Sequence, residues 1–124
     1  MTKENQDVVV YKGTDKEITA TVRDDADPPV AVDITGWKLE AIVRVRGSTP
    51  LITKKNLAQG GDATEIEDTT PTSGVATIKI KDVDTDPLTV DSLRGYTDYS
   101  WALRREDADA EDVLAVGVFR LKTV

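Results

Sequence analysis

Trp37-Lys-Leu-Glu-Ala-Ile-Val-Arg-Val-Arg46 decides the fold. Every second side chain, Trp37, Leu39, Ala41, Val43 and Val45, is apolar, while Lys38, Glu40, Arg44 and Arg46 stand between them. Successive side chains of an extended chain point to opposite sides, so a period of two puts the first set on one face of a β-strand and the second on the other. A helix would scatter both sets around its circumference. The stretch is therefore predicted as a half-buried strand with Trp37 anchoring the core. Ile42 is the apolar exception on the outward face.

The same alternation recurs on both sides of this strand. Val8 to Tyr11 and Lys16 to Arg23 are predicted strands, the second with Ile18, Ala20 and Val22 facing one way, and Lys12-Gly-Thr-Asp15 is the turn between them. Asp24-Asp-Ala-Asp-Pro-Pro29 stops the second strand, because proline cannot donate to a ladder and aspartates favour turns. Beyond Gly47-Ser-Thr-Pro50, Leu51 to Leu57 is predicted as an edge strand whose Lys54 and Lys55 discourage unwanted pairing. Ala58 to Ser73 reads as a polar loop holding one short strand near Glu65. Gly74 to Lys81 alternates with Ala76, Ile78 and Ile80 inward, and Asp82 to Leu93 breaks the pattern with room for a single helical turn. Tyr96 to Arg105 alternates through Tyr99, Trp101 and Leu103, and Glu106-Asp-Ala-Asp-Ala-Glu-Asp112 makes an acidic hairpin turn into Val113 to Val124. Short strands separated by turns, without intervening helical patterns, predict an all-β fold: an antiparallel, immunoglobulin-like β-sandwich of six to eight strands.

With 124 residues the chain can bury one core, so a single domain over residues 1–124 is expected. Hydrophobic residues at 39% exclude a disordered chain. The polar start, Met1-Thr-Lys-Glu-Asn-Gln-Asp7, lacks the apolar segment of a signal peptide, and no run approaches the roughly 20 apolar residues of a membrane span. Synthesis in the cytosol and no membrane partner are the expectations. A formal net charge of −7 repels a phosphate backbone, so nucleic acid is not expected as a partner.

Catalytic chemistry finds little to work with. The chain has no His and no Cys, which removes the commonest general base, the Ser-His-Asp triad, thiolate nucleophiles and the usual zinc ligands. No Gly-x-Ser-x-Gly, Gly-x-Gly-x-x-Gly or P-loop occurs, and the carboxylates concentrate in turns, where water holds them ionised. No enzyme activity and no cofactor are expected. Asp82-Val-Asp-Thr-Asp86 opens like a calcium loop, but Pro87 stands where that loop needs glycine and Leu93 where it needs a bidentate Glu. A solvated turn is the preferred reading there, and equally at Asp24, Asp25 and Asp27.

The last strand departs from simple alternation. Val113, Ala115, Phe119 and Leu121 form one apolar face, yet Leu114, Val116 and Val118 make the opposite face apolar as well. Either loops of the same domain cover that second face or another chain does, since contiguous exposed apolar patches mark interaction sites. Leu114, Val116 and Val118, extended by Ile42 on the Trp37 strand, are the candidate partner interface.

Tyr11-Lys-Gly-Thr-Asp15, the strand to Arg23, the acidic turn with its prolines, and Val32-Asp-Ile-Thr-Gly-Trp37 leading into Glu40-Ala-Ile-Val-Arg44 resemble one known family. It is the N-terminal β-sandwich domain of bacteriophage baseplate upper proteins and related tail proteins, with Ile34 where the family has leucine. The order of later parts is similar too: a strand led by Gly74, the Asp82 to Leu88 segment, a Tyr-rich strand, an acidic hairpin and a Val-rich last strand. The resemblance implies a structural virion protein, made in the host cytoplasm and assembled in multiple copies with itself and other virion proteins, with no catalytic residues. The alternative is a carbohydrate-binding or adhesion sandwich using exposed tyrosines and the Ala58 to Ser73 loop.

Overall fold

The computed structural model describes residues 4–107 and 110–123, which form two β-sheets packed face to face. Among these residues there are nine strands: β1 (Glu4–Asn5), β2 (Val8–Tyr11), β3 (Lys16–Thr21), β4 (Leu39–Arg44), β5 (Ile52–Lys55), β6 (Ile66–Thr70), β7 (Val75–Ile80), β8 (Tyr96–Asp107) and β9 (Ala110–Lys122). One sheet has the order β1-β9-β8-β4-β5, with β2 also on β9; the other is β3-β7-β6. The Lys12 to Asp15 turn therefore carries the chain from one sheet to the other.

The strand beyond the expected number is β1, whose Glu4 and Asn5 carry no apolar alternation. It is held by main-chain bonding instead. Both β1 and β2 run parallel to β9, with Glu4 beside Ala115 and Val10 beside Leu121, whereas the remaining strand pairs are antiparallel. Two sheets of this kind, with an N-terminal strand laid along the last one, make an immunoglobulin-like sandwich. Its corner is present as well: the Tyr99 hydroxyl donates to the Thr89 carbonyl at 2.7 Å, tying the entry of β8 to the preceding loop.

The core lies between the sheets. Leu39, Ala41 and Val43 of β4, Tyr99, Trp101 and Leu103 of β8, and Phe119 and Leu121 of β9 pack against Ile18, Ala20, Ile66, Ala76, Ile78 and Ile80. Asp82–Thr85 is the single helical turn, α1.

Trp37 is a correction. β4 begins two residues later, at Leu39, and the Trp37 ring is only partly buried at the margin of the core, where the Arg105 guanidinium stacks on it 3.8 Å from the ring centre. A cation over an indole is a favourable way to close such a margin. Trp101 takes the central place. Lys54 also differs from its expected role. It points inward and pairs with Asp84 of α1 at 2.6 Å, so only Lys55 remains at the edge. The polar stretch after β5 is more ordered than a loop: short 3-10 turns at Leu57–Gln59 and Pro71–Ser73 flank β6.

Candidate interaction face

The outer face of the larger sheet is where three of the four candidate residues were expected to meet a partner together with Ile42. A bulge in β9 decides which of them do. Leu103 pairs with Ala115 and Arg104 with Val113, so Leu114 is an extra residue without a cross-strand mate. An inserted residue shifts the inward and outward parity of everything beyond it. Leu114 is thereby turned into the core, 1% exposed, and Val113 opposite Arg104 is turned outward. Leu114 is not available to a partner.

The other three candidates do share one face. Val43, Ala41 and Leu39 point inward, so Ile42 points outward, and the register aligns Thr53, Ile42, Ala102, Val116 and Asn5 as one row across the strands. Val118 follows in the next row with Ser100 and Arg44. Ile42 is only 2% exposed, although it lies outside the inter-sheet core. It is the floor of a shallow groove of about 450 Å³ lined also by Arg44, Arg46, Ala102 and Val116. Val118, at 38% exposed, Val9 in the next row and Tyr11 in the row beyond carry the open apolar surface.

Charges on this face are unevenly satisfied. Arg104 bridges Glu40 at 2.8 Å and Glu106 at 3.1 Å, and Arg120 makes a two-pronged contact with Asp98 at 2.7 and 3.0 Å. Arg44 and Arg46, both exposed, make no ion pair among the described residues. Tyr96 is covered by two guanidiniums, Arg120 at 4.1 Å and Arg94 at 5.4 Å from its ring centre. With Tyr99 buried, Tyr11 is the tyrosine that keeps an open ring.

Hydrogen bonds from the Arg120 guanidinium hold the Asp98 carboxyl below the usual carboxylate range. A carboxyl more acidic in the folded state than in the unfolded one contributes stability above its unfolded value, near pH 4, and loses it as pH falls through the folded value. Thr35 and Thr64 lower Asp33 and Asp62 in the same direction, and Arg105 lowers Asp107. Urea midpoints are therefore expected to be flat from about pH 5 to 8, since the chain has no histidine, and to drop below about pH 4. Asp98→Asn should make that acid drop shallower without abolishing it. An unchanged acid limb in the variant would remove the Asp98 pair from the explanation.

The acidic stretch Asp82 to Asp86 is folded as a turn with the carboxylates of Asp82 and Asp84 in use. Asp84 accepts from the Lys81 amide at 2.7 Å while pairing with Lys54, and Asp82 accepts from the Val83 amide. Among the described residues, no three acidic side chains are grouped as a metal would require. The sequence matches no protein-family model and no curated protein.

Proposed function

We propose that this chain is a structural protein of a tailed bacteriophage particle, a tail, baseplate or fibre-attachment module that works by assembling with itself and with other virion proteins. The observation that carries the assembling role is the outer face of the larger sheet, where Val118 stands exposed next to the row of Ile42 and Val116 and Val9 and Tyr11 stand exposed further along the same face. Large apolar side chains clustered on one sheet face suit burial against protein. The phage setting is supported by the resemblance of the Tyr11 to Asp15 turn, the Val32 to Trp37 step and the strand that follows to phage tail sandwiches. The arrangement of strands agrees with that reading but is shared by sandwiches of many functions.

Assembly is tested by multi-angle light scattering of the purified chain beside Val116→Asp, a substitution at a half-buried outer position that leaves the inter-sheet core intact. The chain is expected to elute as an oligomer at micromolar concentration and the variant as a monomer. Identical monomers for both, with no protein captured from purified phage particles, would count against the reading.

A further inference from the structure

We infer that copies of this chain associate by exchanging their N-terminal strands, β1 and β2 of one copy lying along β9 of another. The inference rests on the reading of the chain as a self-assembling protein and names the segment that passes between copies.

The edge of β9 that β8 leaves free is a slot shaped for one extended strand. Gly117 keeps it open, because a β-carbon there would run into the Gln6 carbonyl. The Trp101 indole donates to that carbonyl at 2.7 Å, and the Val118 amide donates to the Asp7 carboxylate at 2.9 Å. The Gln6 and Lys12 amides donate to the carbonyls of Val116 and Lys122, each at 2.9 Å. Glu4 reaches the smaller sheet and accepts from the Thr21 amide at 2.9 Å. Val8 and Val10 close the core between the sheets. An empty slot would expose that core and leave the buried indole N–H without an acceptor, so the fold requires a strand here.

The slot also selects its occupant. It needs a main-chain carbonyl over the indole, a carboxylate one residue later for the Val118 amide, and valines at the next and third positions after that carbonyl's neighbour. Gln6-Asp7-Val8-Val9-Val10 supplies this order, and every copy carries it. A second copy is therefore a source of the strand with the same fit as the chain itself.

Each of these contacts joins the segment to β3, β8 or β9, and the tie to its own copy is the four-residue turn Lys12-Gly-Thr-Asp15. Two copies that trade segments keep every contact in the slot, and only the turn opens. That turn is tight. The Thr14 amide closes it on the Tyr11 carbonyl at 3.1 Å, and Gly13 takes a left-handed φ of 81°. Short, tight hinges favour exchange over closure within one chain. Exchange also grows with concentration by mass action, as it would where many copies assemble side by side.

A disulfide placed across the slot tests this in a chain with no native cysteine. Tyr11 and Lys122 are register partners on β2 and β9, close enough for a bridge once both are cysteine. The full chain carrying Tyr11→Cys and Lys122→Cys, refolded at high concentration and mildly oxidised, is expected to run mainly as a covalent dimer or a longer ladder on a denaturing gel without reductant. Each single variant should run mainly as a monomer. Adding Gly13→Val, a β-branched side chain at a φ it resists, should raise the cross-linked share of a dilute sample roughly threefold or more. A chain that is oligomeric by light scattering but carries its disulfide within one copy would overturn the exchange and leave self-assembly standing. A monomer with an internal disulfide at every concentration would overturn both.

Discussion

Gly117→Ala is expected to lower the stability of the chain by about 2–3 kcal/mol, the cost of overpacking at a site that cannot relax. β1 and β2 lie along one edge of β9, and the link between them passes close to this glycine. A β-carbon there would lie 1.8 Å from the Gln6 carbonyl oxygen and 2.7 Å from Nε1 of Trp101. Those same two atoms are joined by a 2.7 Å hydrogen bond, and the Gln6 amide donates to the Val116 carbonyl at 2.9 Å. One methyl group therefore pushes the N-terminal segment off β9 and leaves the buried indole N–H without its acceptor. Urea unfolding should show the lowered stability, and hydrogen exchange should show faster exchange of the β2 amides than of those in β7. A variant within about 0.5 kcal/mol of the parent would mean that the segment is held elsewhere.

Asn56→Ala should cost still more, about 3–5 kcal/mol, as several buried backbone groups lose their partners at once. Asn56 is fully buried. Its Oδ1 accepts from the amides of Leu39 at 3.0 Å and Gln59 at 3.1 Å, and its Nδ2 donates to the Trp37 carbonyl at 2.8 Å and to Asp68. One side chain thus starts β4, caps the 3-10 turn after β5 and reaches β6. Asp68→Ala removes only one of these contacts and serves as the comparison. Equal thermal midpoints for the two variants would contradict the assignment.

How much of this could be read in the residues depends on which force set each element. The inward faces of β3, β4, β7 and β8 follow apolar alternation, because burial between two sheets selects every second side chain, and these were legible. β1 was not, because Glu4 and Asn5 are placed by main-chain pairing with β9 and carry no apolar signal. Asn56 was missed for a related reason: a polar residue placed by side-chain hydrogen bonds to distant parts of the chain has no period. Its only trace was a polar residue near the end of the expected Leu51 to Leu57 edge strand.

The last strand was legible in part. Apolar residues at both parities of β9 correctly marked a strand with two faces in use, but an unrecognised bulge mixed two causes in the pattern. Leu114 is apolar because it enters the core. Val116 and Val118 are apolar on the outer face, where the fold leaves them uncovered or half covered. Lys54 misled in the opposite sense, since an ammonium group at an edge normally faces water, and only the carboxylate of Asp84 from a distant turn makes an inward position tolerable.

The pairing of β1 and β2 with β9 has a consequence in time. β1 and β2 are completed only by β9, more than a hundred residues later in the chain. At about 5–20 residues per second the N-terminal segment waits several seconds without its template. Closure of the larger sheet therefore waits for β9, and such distant pairings fold in milliseconds to seconds rather than microseconds. Before β9 is made the larger sheet has no finished outer face, and only a chain made through β9 presents that surface.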